Sequence, residues 1–394
     1  MLLSWKQRFA VVCGNAMEFY DIAVFAAISP FLINILSSNG YENATFLIWG
    51  GFALRFLLRP FGGYLIGKVA DHHGEKIALI LTSSLTGIST ISMAMLPINL
   101  EFIAFYFLFL QMLQAFSFGG EYPTIINYLI KHSPKIEIAR TSSIIVASSI
   151  LGVLFSLGIV ESLKMILSAD DMQNFGWRVP LFIGGVNIAV SFWFRYHLPQ
   201  DNKTIHKTNE DSKQWLHLFF ISVAGAVVFY IQNLSGSILQ KTVNIPYFSL
   251  INSSLLFIFI IAAGYFTDKL STSVKSFQIG CFFSAILYVP SYWVLSHSVT
   301  EIAVIAMLII SVLSALILAN LAGVLANVAK DQTVTLGLCY NVALSIFGGV
   351  SPLVVELLSR KDVSFVGLYA ALCVLPALIF AHSFAKETLI SESV

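Results

Sequence analysis

The sequence predicts an all-α membrane protein with twelve transmembrane helices in two six-helix halves. Three observations predict this fold class. Hydrophobic residues make up 57% of the 394 residues and charged residues only 11%, and the mean hydropathy is +0.83. A soluble chain of this length needs far more charge to cover its surface. The third observation is that the apolar runs fall into two sets of six, one on each side of a single polar stretch.

Each apolar run has at least the length of about 20 residues that is needed to cross a bilayer as a helix. The runs of the first half lie at 9–36, 44–70, 77–97, 102–130, 138–163 and 178–197. Those of the second half lie at 215–240, 244–268, 275–296, 301–328, 334–358 and 363–385. The polar stretch between the two sets predicts an N-terminal domain over 1–197, a linker over 198–213 and a C-terminal domain over 214–394.

The distribution of basic residues predicts the orientation of the helices. Lys6 and Arg8 precede the first run, and most other Lys and Arg residues fall in loops on that same side. Because basic loops stay in the cytoplasm, we expect both termini and the central linker to be cytoplasmic.

Several function classes are excluded by what the sequence lacks. The formal net charge of +1 provides no basic patch for nucleic acid. The four cysteines are scattered through apolar runs without metal or redox spacing, so we interpret them as packing residues and expect no metal and no cofactor. The sequence has no P-loop and no nucleophile or metal cluster, which argues against an ATP-driven pump and against an enzyme.

A short polar turn joins the second and third runs within residues 59–76. Gly62, Gly63 and Gly67 leave one side of the second helix without side chains, so another backbone can approach it. We therefore expect a close helix crossing at this point.

The turn itself carries a pattern that resembles the loop marking the major facilitator superfamily of transporters. That pattern is Gly-x-x-x-Asp-x-x-Gly-x-Lys, and Glu75 stands where the family usually has a second basic residue. The resemblance implies two six-helix domains around a central cavity, and a cytoplasmic gate in this loop. The gate residues would be Gly67, Asp71, Gly74 and Lys76.

The second half repeats part of this pattern. Gly264 and Asp268 have the same spacing as Gly67 and Asp71 and follow them by half a chain length, although no Gly-x-Lys follows Asp268. Parallel six-helix repeats are a property of this superfamily.

Further stretches resemble one branch of the superfamily, the metabolite–proton symporters that include proline/betaine, citrate, shikimate and dicarboxylate carriers. The resemblance implies proton-coupled transport across a bacterial inner membrane. The stretches are Gly14–Asp21, Gln114–Tyr122, Gly176–Pro180, Gly337–Asn341 and Phe347–Pro352.

Two acids in the first run are candidates for proton coupling. Glu18 and Asp21 lie roughly 14–18 Å from the cytoplasmic start of their helix, near mid-membrane. They are three residues apart and share a face. Since two close carboxylates repel, one of them should bind a proton more readily than it would in water. The alternative is a packing hydrogen bond made by a protonated acid.

Arginines in the second run are candidates for a countercharge or for a clamp on an anionic substrate. Arg55 lies about 16 Å deep, at the level of the two acids. The family commonly has an arginine in the fourth span where this chain has Gln111, so we expect Arg55 to replace that charge. The alternative is an arginine that snorkels or binds backbone carbonyls. Arg59 lies at the level of Glu121, and we expect these two to pair, either for proton coupling or as a structural ion pair.

The second half offers amides rather than charges, which suits recognition of a small polar solute. Each amide is alternatively a helix–helix hydrogen bond. The expected substrate-cavity residues of the two halves are Tyr20, Gln111, Gln114, Tyr122, Gln232, Asn233, Asn320 and Asn341.

Together these features predict a monomeric, proton-coupled importer of a small organic carboxylate or zwitterion that works by alternating access. Its partners would be the solute, protons and the lipid bilayer. One alternative is a proton antiporter that exports a metabolite or drug. The other is a membrane sensor that kept the fold without transporting.

Overall fold

The computed structural model describes residues 2–98, 102–199, 212–233 and 235–392, and within these ranges the chain folds into twelve long helices. In the first half they are α1 (Trp5–Ser38), α2 (Ala44–His73), α3 (Glu75–Met95), α4 (Ile103–Lys131), α5 (Ile138–Ile166) and α6 (Arg178–Tyr196). In the second half they are α7 (Ser212–Asn233), α8 (Phe248–Leu270), α9 (Ser273–His297), α10 (Thr300–Ala329), α11 (Thr333–Ser359) and α12 (Ser364–Glu392).

The predicted all-α membrane fold is confirmed. Eleven helices among the described residues are long and apolar enough to cross a bilayer. The remaining one, α2, has 30 residues, and Arg55 and Arg59 lower its mean hydropathy. Of the predicted linker 198–213, residues 200–211 lie outside the described residues, and the domain boundaries stay predictions.

The helix limits differ from the predicted runs at the connection between α7 and α8, and the eleventh helix is irregular. The seventh run was predicted to reach residue 240, but α7 ends at Asn233 and a separate short turn, Gly236–Leu239, follows. The eighth begins late because Tyr247, which follows a proline, adopts a φ of 54° that a right-handed helix cannot include. The eleventh contains one π-helical turn, Leu344–Gly348.

The described chain divides into two compact units. The first holds α1–α3, α4 as far as Tyr128, α5 from Ser148 onward and α6. In it, α6 packs against α1 and α3, and α2 packs against α3. The second holds the segment Leu129–Ala147 together with α7–α12. There α9 packs against α10 and α12, and α7 packs against α10, α11 and α12.

The Gly-Trp-Arg-Val-Pro stretch at the start of α6 anchors the end of α3. Arg178 donates hydrogen bonds to the carbonyl oxygens of Ala94 and, at 2.7 Å, of Leu96. Its guanidinium lies 4.4 Å from the ring centre of Trp177. A cation is favourable at a helix C-terminus, where the last carbonyls have no partner within the helix. The stretch therefore fixes α6 against α3.

The close helix crossing expected around Gly62 is confirmed. A Cβ atom on Gly62 would lie 1.9 Å from the carbonyl oxygen of Phe116, and one on Gly119 would lie 2.0 Å from that of Arg59. The backbones of α2 and α4 thus touch at two glycines, as is typical of membrane helices joined through small residues. This contact brings Arg59 close to the residues of α4.

We expect Gly119→Val to lower the thermal stability of the detergent-solubilised protein. The side chain meets backbone, which cannot move without separating α2 from α4, and overpacking of this kind costs about 1–3 kcal/mol. The matched control is Gly158→Val in α5, because nothing lies within 4 Å of a Cβ at Gly158. Equal melting temperatures for the two variants would show that α2 and α4 are not closely joined.

Candidate functional site

The first unit buries eight charged side chains, of which Arg8 and Glu75 lie in the first turns of α1 and α3. The other six are three acids and three arginines, called here the acid–arginine cluster: Glu18, Asp21, Glu121, Arg55, Arg59 and Arg195. No Asp, Glu, Lys or Arg is buried among the residues of the second unit whose burial is described. Charged groups within a bilayer are costly unless they are paired or line a polar cavity. The cluster is therefore the strongest candidate site in the first half.

Glu18 pairs with Arg59, not with Arg55. The Nη2 atom of Arg59 lies 3.2 Å from the Oε1 atom of Glu18. The expected pair of Arg59 with Glu121 is therefore wrong. The reason is that the two residues were matched by depth alone, and depth along a helix does not determine the direction in which a side chain points.

Glu121 instead forms an ion pair with Arg195 near the C-terminal end of α6. The same guanidinium donates to Ser83 and, at 3.0 Å, to the carbonyl oxygen of Leu79. A Cβ on Gly14 would lie 2.0 Å from Arg195 Nη2, so the glycine provides the space for the guanidinium. Arg195 was missed because an arginine near a helix end usually reaches the membrane surface. The sequence did contain one signal for a further arginine, because it offered three candidate acids but only two candidate arginines.

Asp21 occupies a separate part of the cluster. Its Oδ2 atom accepts hydrogen bonds from Thr90 Oγ1 at 2.6 Å and from Gln114 Nε2 at 3.4 Å. Gln114 also donates to Thr90 at 2.8 Å. On the other side, a Cβ on Gly184 would lie 2.5 Å from Asp21 Oδ1. The groups that hold Asp21 are therefore neutral hydrogen-bond donors.

The expected interaction of Glu18 with Asp21 is replaced by one with Glu121. The charged groups that act on Glu18 through space are Glu121, Arg59, Arg195 and Arg55, and Asp21 is not among them. Residues three apart on a helix share a face, but here each carboxylate contacts its own partners on other helices. The acid that acts on Glu18 of α1 is thus Glu121 of α4.

Arg55 is buried between aromatic rings at the level of the acids. Its guanidinium carbon lies 5.8 Å from the ring centres of both Phe25 and Phe118. It interacts electrostatically with Asp21 and Glu18. One turn earlier on α2, a Cβ on Gly51 would lie 3.6 Å from Gln111 Oε1. Gln111 thus lies against α2, and the replacement of its missing charge by Arg55 stays a prediction.

We expect Arg55→Leu to lose transport and the double variant with Gln111→Arg to recover part of it. The physical reason is that the cluster needs a third positive charge at this level, whichever of the two helices provides it. Arg55→Lys should substitute poorly, because an ammonium lacks the planar fork of donors. Uptake into proteoliposomes measures all three, with Gln111→Arg alone as the control. Normal transport by Arg55→Leu would contradict the prediction that the cluster needs this charge.

The remaining candidates of the first half take part in packing contacts. The hydroxyl of Tyr20 donates to the carbonyl oxygen of Pro180 at 2.9 Å, and its side chain is fully buried. The rings of Phe19 and Tyr122 meet edge to face with centres 6.5 Å apart. These contacts fix Tyr20 and Tyr122, and their expected roles in a substrate cavity stay predictions.

In the second unit the structure joins Gln232 to residues that the sequence did not single out. Gln232 Nε2 donates to the hydroxyl of Tyr292 at 2.9 Å, and Asn252 Nδ2 donates to Gln232 Oε1 at 3.0 Å. Asn252 in turn accepts from Ser311 at 3.1 Å. All four side chains are buried, so they form one neutral polar network across several helices.

The other three candidate amides of this half form hydrogen bonds within their own helices. Each donates to the carbonyl oxygen four residues earlier: Asn233 to Phe229 at 3.1 Å, Asn320 to Leu316 at 2.9 Å and Asn341 to Gly337 at 2.7 Å. Asn320 also donates to Thr267 at 3.4 Å. None of these hydrogen bonds leads to a residue of the Gln232 network.

The proposed gate residues lie where α2 meets α3. Gly67 and Asp71 belong to the end of α2, and Gly74 alone separates the two helices, with a φ of 100° that disfavours any residue with a side chain. Lys76 Nζ lies 5.7 Å from the ring centre of Tyr196. The glycine therefore makes the direct joint between the helices possible.

The related acid of the second half lies at a helix N-terminus. Asp268 accepts hydrogen bonds from the backbone N–H groups of Ala139 at 2.8 Å and Arg140 at 3.0 Å, and from Arg140 Nε at 2.9 Å. These N–H groups belong to the first turn of α5, where an acid is favourable. The acid of the second copy therefore has a structural partner at the start of α5.

Comparison with known proteins identifies the family. The model of the Major Facilitator Superfamily matches residues 11–352. Alpha-ketoglutarate permease of Escherichia coli K12 is 26% identical over 85% of this chain and 83% of its own length. Ectoine/proline transporter ProP of Corynebacterium glutamicum is 23% identical over 89% of this chain and 77% of its own length.

Solved structures share the fold. The proton:xylose symporter XylE bound to 6-bromo-6-deoxy-D-glucose superposes with a TM-score of 0.72 over 96% of this chain and 95% of its own, at 12% identity. The resemblance drawn from the loop and span motifs is confirmed, and a transporter rather than an enzyme follows from it. The chain belongs to the major facilitator superfamily of membrane transporters.

Proposed function

We propose that this transporter imports a small organic carboxylate or zwitterion together with protons across a bacterial inner membrane. It works by alternating access, in which the binding site opens to one side of the membrane at a time. Both termini are cytoplasmic, and the working unit is the monomer.

The observation that carries the proposal is the acid–arginine cluster. Its three acids are buried in the first unit, and two of them, Glu18 and Glu121, form ion pairs with arginines. A group that carries a proton across a membrane must be shielded from bulk water and able to change its charge. The burial of Glu18, Asp21 and Glu121 meets the first requirement, and a carboxyl group is of a chemical type that can meet the second. Arg55 and Arg59 serve as countercharges or bind a carboxylate of the solute.

The named relatives support the solute class. Two of them are described as carriers of a dicarboxylate and of the zwitterions ectoine and proline. The neutral network around Gln232 suits such solutes. Its uncharged donors and acceptors would recognise polar groups of the solute, while the charged side chains of the first half would bind its carboxylate and couple transport to protons. Gln111, Tyr122 and the other amides complete the recognition set, and Asp71 and Lys76 act at the cytoplasmic gate.

The test is uptake of labelled alpha-ketoglutarate, proline and ectoine into proteoliposomes under an imposed proton gradient. We expect accumulation of at least one solute when the outside is acidic, and loss of accumulation with a protonophore. Empty liposomes are the control. Accumulation only when the inside is acidic would indicate an antiporter. Binding without any flux would indicate a sensor.

A thermal-shift screen narrows the choice of solute first. A ligand present at 100 times its Kd stabilises the folded protein by about 2.7 kcal/mol. Organic acids, amino acids and betaines are screened in parallel, and those that raise the melting temperature enter the uptake assay.

A further inference from the structure

A small polar cavity lies between the two ion pairs of the first unit. Its volume is about 10 Å³, which is about the space of one water molecule. Its polar lining comes from α1, α3, α4 and α6. The residues that provide it are Glu18, Ser83, Thr86, Glu121, Ser191 and Arg195.

Three buried atoms of this lining have no hydrogen-bond partner among the described residues: Glu18 Oε2, Ser191 Oγ and Arg195 Nε. All three residues are at most 2% exposed. Buried polar atoms in folded proteins are almost always bonded to protein or to an ordered water. A polar cavity of this size with several donors and acceptors meets the requirements for such a water.

The arginines leave the cavity side of this acid pair open. Arg59 engages Oε1 of Glu18, and Arg195 engages Oε1 of Glu121. Glu121 is among the charged groups that act on Glu18 through space, with Arg59, Arg195 and Arg55. The two acids therefore face a common space while each keeps its own countercharge.

We propose that this cavity binds one water molecule that bridges Glu18 and Glu121, and that the two carboxylates share one proton through it. The transfer is balanced. The protonated Glu18 gives its proton to the water oxygen while the water gives one of its own protons to the Glu121 carboxylate. Glu18 remains as a carboxylate beside Arg59, and the water is regenerated. The use of this relay in transport rests on the proposed proton coupling.

Infrared difference spectra recorded during a pH titration of the reconstituted protein test the bridge directly. We expect a water O–H band that moves when ¹⁸O-labelled water is used and that changes together with the carboxyl bands. We also expect Glu18→Gln to shift the titration of Glu121 by at least about one pH unit, and Glu121→Gln to do the same for Glu18, as coupled sites require.

Ser191→Val provides the decisive variant because it fills the cavity without removing a charge. We expect it to abolish the labelled water band and to separate the two titrations. Ser156→Val is the matched control, since Ser156 is also a buried serine without a hydrogen-bond partner among the described residues but does not line this cavity. Should Ser191→Val fail to fold, Ser191→Thr adds one methyl group at the same place.

The outcomes separate this inference from the proposed function. No ¹⁸O-sensitive band in the wild type, or identical spectra for Ser191→Val and Ser156→Val, overturns the water bridge even where uptake is proton-driven. A coupled titration with its water band in a protein whose uptake ignores the proton gradient supports the bridge and rejects proton-coupled transport.

Discussion

Asp21→Asn is expected to abolish accumulation of the solute against its gradient while exchange of solute across the membrane stays measurable. The amide is close in shape to the carboxyl group, and its oxygen can still accept the hydrogen bonds from Thr90 and Gln114. It cannot gain or lose a proton. The substitution thus separates binding of the solute from coupling to protons.

Two proteoliposome assays measure this separation. Accumulation is followed under an imposed proton gradient, and exchange is followed with labelled solute inside and unlabelled solute outside. Asp170→Asn is the matched control because it makes the same chemical change at an exposed position. Unchanged accumulation by Asp21→Asn would remove Asp21 from the coupling mechanism and leave Glu18 and Glu121 as the carriers.

Arg195→Met is expected to destabilise the protein by about 3–5 kcal/mol, the usual effect of removing one partner from a buried ion pair. The variant leaves Glu121 buried without its arginine and removes the donors to Ser83 and to the Leu79 carbonyl. The melting temperature in detergent measures the effect. Uptake should fall with it, since Arg195 also holds Glu121 in place.

A second substitution tests the physical reason. Glu121→Gln added to Arg195→Met should restore much of the stability, because no uncompensated charge then stays buried. Arg360→Met is the matched control: its pair with Glu356 measures 2.9 Å but is exposed, and such pairs contribute about 0.3–0.5 kcal/mol. If Arg195→Met lowered the stability of the protein as little as this control does, burial of Glu121 without Arg195 would carry little energetic cost.

The sequence predicted the helices and the buried charges for the same physical reason. An arginine or acid in a long apolar run is conspicuous because the bilayer disfavours it, so Glu18, Asp21, Arg55 and Arg59 could be identified without a structure. Their depth followed from the rise of a helix. Which of them pair did not follow, because pairing depends on how each helix is rotated about its axis.

Residues at helix ends and neutral residues were harder to predict. Arg195 lies where a membrane arginine usually reaches water, so its burial depends on space left by Gly14 on another helix. Thr90 and Asn252 are ordinary polar residues in their helices and become informative only beside Asp21 and Gln232. Their roles arise from tertiary packing.

The equal number of acids and arginines in the acid–arginine cluster has a consequence for the energy source of transport. With all groups ionised the cluster is electrically neutral, and one bound proton makes it a monocation. A zwitterion carried with that proton moves one charge through the membrane potential, worth about 2.3 kcal/mol per 100 mV. A monoanion cancels the charge. Transport of a betaine-like solute would thus be driven by both the membrane potential and the pH difference. Transport of a monocarboxylate would be driven by the pH difference alone.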